Sequence, residues 1–162
     1  MADDKVIREQ LAALLRGGNG HMTFEDAIAE FPMKAINRKP PNFNYSFWHL
    51  LEHMRVVQWD ILEFVRDPGH VSPEYPAGYW PPENAAAGPS EWKKSVRAFR
   101  SDLKAVESLV MARETNFFEP IPHAKGYNVF REVLLVADHN AYHIGEILTL
   151  RQVMDISPAE KW

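Results

Sequence analysis

Residues 92–110 read WKKSVRAFRSDLKAVESLV, and the apolar positions Trp92, Val96, Phe99, Leu103, Val106 and Val110 recur at steps of four and three. That period places all six on one face of an α-helix. Pro89 and Ser90 precede the run, and Ser90 is the expected N-cap. Three further segments share the pattern. Residues 128–154 carry Val129, Val133, Val136, Ile147, Leu150 and Met154 on one stripe. Residues 46–66 carry Phe47, Leu50, Leu51, Met54, Val57, Ile61 and Phe64, and Asp67-Pro68-Gly69 ends them. Near the N-terminus Ile7, Leu11, Leu14 and Leu15 repeat until Gly17-Gly18, which suits a helix C-terminus. No segment sustains period-two alternation, so the expected class is all-α without a substantial sheet. Helices of this length, near 30 Å at about 1.5 Å per residue, suit a four-helix bundle, with residues 1–162 forming one domain.

The connections are longer than the roughly two to eight residues of a simple up-and-down bundle. Residues 21–45 hold a predicted short helix at 23–31, with Thr23 and Asp26 as a capping box, followed by Pro32 and Pro40-Pro41. Residues 67–89 contain half of the chain's 12 prolines, with Tyr75, Tyr79 and Trp80. Loops of this length either cross the bundle, so that consecutive helices run parallel, or fold over one end as a lid.

Composition restricts the chemistry. The chain has 162 residues, 46% of them hydrophobic and 25% charged, which is ordinary globular composition. Its 22 acids against 18 Lys plus Arg give a net charge of -4, and the basic residues are scattered, so no phosphate-tracking stripe for nucleic acid is expected. The absence of cysteine excludes disulfides, thiolate metal sites and cysteine nucleophiles, so any metal must sit on His, Asp or Glu. No apolar run approaches the roughly 18 residues of a membrane span, and the charged N-terminus is unlike a signal peptide; a soluble, cytoplasmic protein is expected.

Seven histidines remain to be placed, and four form HxxxH pairs: His49 with His53, and His139 with His143. Residues four apart lie one turn above another, where two imidazoles reach one metal ion. Counting 100° per residue, His143 lies within about 20° of the apolar stripe of its helix and His139 within about 60°. On the 46–66 helix His53 lies about 80° from the stripe centre and His49 about 120°. His53 is therefore the better inward ligand, and His49 reads as a supporting or surface group. Burying two imidazoles without partners costs roughly 1 to 3 kcal/mol each, a cost that a shared metal removes. Three neutral imidazoles from two helices, with an open position, match a catalytic site.

Neither pair is HExxH, no histidine has Glu three residues before it, and no GxGxxG, P-loop or GxSxG occurs. Zincin peptidase, di-iron carboxylate, nucleotide and serine-hydrolase mechanisms therefore have no motif to rest on.

The stretches SFWHLLEH (46–53) and DHNAYHIG (138–145), with the Tyr79-Trp80-Pro81 loop and the Trp92 helix between them, resemble the DinB-like (DinB/YfiT-like) family of metalloenzymes from about His21 onward. The resemblance implies a four-helix bundle with crossover connections and a divalent ion, Zn²⁺, Ni²⁺ or similar, on three histidines. Matched by motif these are His53, His139 and His143. It further implies transfer or isomerisation chemistry with a low-molecular-weight thiol cosubstrate, and a homodimer, whose correlate would be an exposed apolar stripe on the first or third long helix. One position departs from the family: Glu146 stands where Gln is common, which reads as tolerated variation that places an acid near the cation.

The expected function is thus a metal-dependent thiol transferase acting on a small electrophile, with no protein nucleophile. A non-catalytic metal-binding or stress-response protein and a metal-dependent hydrolase stand as alternatives. Glu52, Asp138 and Tyr142 are candidate supporting or proton-handling groups, although Glu52 and Asp138 also fit simple solvation. Trp48, Trp59, Tyr79 and Trp80 are candidates to line a pocket, or packing elements.

Overall fold

The computed structural model describes residues 2–158. Its helices start and stop where backbone groups find partners. α1 (Ala2–Arg16) ends at Gly17 and Gly18, both in the left-handed region at φ +72 and +83, which side chains other than glycine rarely adopt. α2 (Phe24–Ile28) starts at Thr23, whose side chain and Asp26 form the predicted capping box, though the helix is shorter than the 23–31 expected. α3 (Phe47–Arg66) starts at the Ser46 cap, and α5 (Val129–Val153) at Asn128, whose side chain accepts from the Arg131 amide. α4 (Pro89–Met111) corrects the Ser90 expectation: Gly88 is the N-cap, Pro89 takes the first helical position, and Ser90 lies inside the helix. Proline fits there because its missing N–H would have had no helical partner, and Glu91 accepts the Gly88 amide instead. Among the described residues only a short antiparallel pair, β1 (Pro120–Ile121) and β2 (Ala124–Asn128), interrupts the all-α class.

α3 packs on α4 and α5, and α1 packs on the same two, so α1 and α3 stand diagonally across a four-helix bundle. The side-chain contacts set the directions. Glu52 meets Ser95 and Gln58 meets Phe99, so α3 and α4 run parallel. His53 meets His139 while Phe47 and Leu50 share a cluster with Ile147 and Leu150, so α5 is antiparallel to α3. Arg8 reaches the carbonyls of Val110 (2.7 Å) and Ala112 (2.6 Å) at the end of α4, and Arg16 pairs with Glu107 nearer its middle, so α1 opposes α4. A parallel α3–α4 pair requires residues 67–88 to return along the bundle, and this crossover also covers one side of α3. It is tied down by paired hydrogen bonds between Asn37 and Ala87, 2.8 and 2.9 Å.

The core is divided. One apolar cluster joins α2, the first half of α3, the start of α4 and the end of α5; the other joins α1, the second half of α3, the end of α4 and the start of α5. Between them lies a polar layer in which Asn140 donates to Gln58 (2.8 Å) and Gln58 donates to the Phe99 carbonyl (2.8 Å). The predicted stripes are buried or half-buried with one exception. Leu14 is 45% exposed and lines a groove between α1 and α5 with Leu134, Leu135 and Ala141. No helix among the described residues is long and apolar enough to cross a membrane.

Candidate metal centre

The polar layer opens on one side into a group of imidazoles. α3 carries His53 and α5 carries His139 and His143, one turn apart. One ring nitrogen from each lies within 4.8 Å of the other two. Nε2 of His53 and Nε2 of His139 stand 3.1 Å apart. Two nitrogens each at the roughly 2.0–2.1 Å of a zinc–imidazole bond, in tetrahedral geometry, would be about 3.3 Å apart, so this spacing suits a shared ion.

The hydrogen bonds assign the protons. His53 Nδ1 faces the Tyr79 carbonyl at 2.9 Å, and a carbonyl only accepts, so Nδ1 carries the proton and Nε2 presents a lone pair. His143 Nδ1 donates to Glu146 at 2.7 Å, which frees its Nε2 in the same way. The His139 Nδ1 is buried with no hydrogen-bond partner among the described residues. Two rings held in the ligating tautomer beside a third with an unmatched nitrogen form a donor set suited to a divalent cation. Electrostatics agree. Burial, with His143 and His53 beside it, pulls the His139 imidazole down to about 3. Burial also lowers His53, against the opposing pull of its bond to the Tyr79 carbonyl. Both therefore stay neutral, as ligands must.

The trio lies in a cleft of about 540 Å³. Val57, Ile61 and Leu135 form its helical walls, and Tyr75, Pro76, Tyr79 and Trp80 of the crossover form the other side. Trp80 stacks on the His53 ring at 3.8 Å and 5°. The crossover is held by the same helix it covers: Tyr79 donates its hydroxyl to Asp60 Oδ2 at 2.7 Å, and His70 Nε2 meets Asp60 Oδ1 at 2.7 Å. Burial and the bond to Asp60 push the Tyr79 phenol up to about 12, so it keeps its proton.

Other expectations are corrected by these contacts. His49 is not at the surface: it is 2% exposed, its Nδ1 lies 2.7 Å from the Ser46 hydroxyl, and its Nε2 donates to the Pro82 carbonyl at 3.0 Å. Both nitrogens are used, so it anchors the crossover and is not a ligand. Glu52 is half-buried and outside the cleft; it pairs with Arg55 (2.6 Å) and accepts from Ser95 (2.6 Å) on the α4 side. Asp138 is exposed, and Tyr142, 70% exposed, stands at the cleft rim. Tyr79 and Trp80 line the cleft; Trp48 and Trp59 do not.

One comparison finds a match: residues 19–147 correspond to the DinB superfamily. The chain belongs to the DinB superfamily. No curated protein and no solved structure matches it. Within this DinB-superfamily chain, the Glu146 departure acquires a structural meaning. Its carboxylate accepts from His143 Nδ1 and from the Tyr45 hydroxyl. Burial raises the Glu146 pKa, but these two bonds outweigh it and hold the carboxyl below its usual range. The residue fixes the orientation and tautomer of the His143 ring, which is more than tolerated variation. Glu146→Ala is expected to cost about 10–100-fold in metal affinity by chelator competition, and Glu146→Gln, which keeps an acceptor oxygen, only a few-fold. Equal affinities for wild type and Glu146→Ala would remove that role.

The depressed His139 also sets a pH dependence. Unfolded, the ring titrates near 6.5; folded, near 3, so between these values only the unfolded chain binds the proton. The stability that His139 contributes is fully present above 6.5 and is lost as pH falls toward 3. Urea midpoints of the metal-free protein should fall from about pH 7 to pH 5, and less so in His139→Ala. Identical slopes for the two proteins would contradict this.

Proposed function

We propose that His53, His139 and His143 hold a divalent ion, Zn²⁺ or Ni²⁺, and that the protein is a transferase in which a low-molecular-weight thiol attacks a small electrophile. The observation that supports this most directly is the pair of facing imidazole nitrogens at the base of an apolar cleft. A cation held by these three histidines would lower the pKa of an arriving thiol and so favour the thiolate. The chain's own residues bind and orient. Tyr79 and Glu146 keep the proton on Nδ1 of His53 and His143, Trp80 excludes water from one face of His53, and Tyr142 borders the entrance. In the transfer the S–H proton leaves to solvent, a sulfur–carbon bond forms, and the leaving group departs with its electron pair.

A hydrolase would need a base for water, and the two carboxylates beside the trio are engaged: Asp60 by His70 and Tyr79, Glu146 by His143 and Tyr45. This favours the thiol reading. Its test is Co²⁺-loaded protein titrated with a simple thiol. A sulfur-to-cobalt charge-transfer band, together with faster consumption of a bromobimane electrophile than in metal-free protein, is expected. An unchanged cobalt spectrum at saturating thiol would contradict it.

A further inference from the structure

The charge of the cleft restricts what enters it. Beyond the three histidines, its described lining is Val57, Ile61, Leu135 and Pro76, the rings of Tyr75, Tyr79, Trp80 and Tyr142, and Asp60. No lysine or arginine is among them. Arg131 lines the adjoining groove between α1 and α5, where it pairs with Glu132 and lies over the Tyr127 ring, and Arg55 is paired with Glu52 on the α4 side of α3. The acids lie close: Asp60 in the wall and Glu146 behind His143. A ligand carboxylate or phosphate entering here would be desolvated against apolar walls with no cation but the metal itself to meet it. An uncharged aromatic or alkyl body would instead lie against Trp80, Tyr75 and Ile61, in a volume typical of small-molecule sites.

We infer that the cleft takes thiols or electrophiles whose body, apart from the reacting sulfur, is uncharged and apolar or aromatic, and discriminates against acidic thiols such as carboxylate-bearing peptides. This rests on the metal–thiol reading above and narrows it to a substrate class.

The experiment uses two probes of the same shape, 4-methylbenzenethiol and 4-mercaptobenzoate, titrated into Co²⁺-loaded protein and followed by the sulfur-to-cobalt band. The methyl probe should bind about ten-fold or more tighter. Leu135→Arg, a change at a partly exposed wall position, should narrow or reverse that preference once equal Co²⁺ loading has been checked. Equal or tighter binding of the carboxylate probe to the wild type would overturn the inference, as would normal Co²⁺ uptake with neither probe bound. Failure of Co²⁺ to bind at all would instead overturn the metal reading on which the inference rests.

Discussion

A chain carrying both His139→Ala and His143→Ala should take up no divalent ion at micromolar metal, a loss of about a thousand-fold or more in affinity. The two rings leave α5 one turn apart and supply two of the three nitrogens that converge within 4.8 Å. Removing them leaves only His53, and one imidazole does not hold Zn²⁺ or Ni²⁺ against water at such concentrations. The helix should survive, because alanine is the best helix former and both rings border the cleft, outside the two apolar clusters. Far-UV circular dichroism would check this. A double variant that keeps its helices and still binds one ion per chain would place the ligands elsewhere.

The second large effect concerns the fold. Arg151 is fully buried near the end of α5, where Nη1 donates to the Ala27 carbonyl at 2.8 Å and Nε to the Ile156 carbonyl at 3.0 Å. Its guanidinium lies 4.9 Å from the Phe31 ring centroid. One side chain thus ties α2 and the segment after α5 to the bundle. Arg151→Ala leaves two carbonyls without this donor and opens a void, and should cost about 3 kcal/mol or more in urea unfolding. Arg151→Met restores volume but not the hydrogen bonds and should recover only part of the loss. Metal uptake should be unchanged, since Arg151 stands about two turns beyond His143. A loss below about 0.5 kcal/mol in Arg151→Ala would show that the contacts contribute little.

The long helices were legible because each has one apolar stripe, and the segments expected to start at 46 and 128 begin at the Ser46 and Asn128 caps. His139 and His143 were legible for the same reason: the α5 stripe gives the direction of the bundle axis, and both rings lie near it. His49 was not, because the angle from a stripe reports only the side facing other helices. α3 is also covered by the crossover, which buries its polar side against Tyr79 and Pro82. The Asp60 cluster was hidden by the same return of the chain, which brings His70 and Tyr79 back onto the helix. One signal was available: Asp60 follows His53 by seven residues, two turns along the same face. Glu146 lies three residues after His143, a spacing at which side chains meet on a helix, and reading that spacing as a contact would have identified the partner of His143.

The central claim is that His53, His139 and His143 form one divalent-metal site. Equilibrium dialysis of untagged, metal-stripped protein against Zn²⁺ and Ni²⁺, with metal measured by atomic emission, tests it most directly. The account predicts saturation at one ion per chain, a stoichiometry that falls to zero in the His139→Ala, His143→Ala double variant. Wild-type protein that stays metal-free at saturating ion would contradict it.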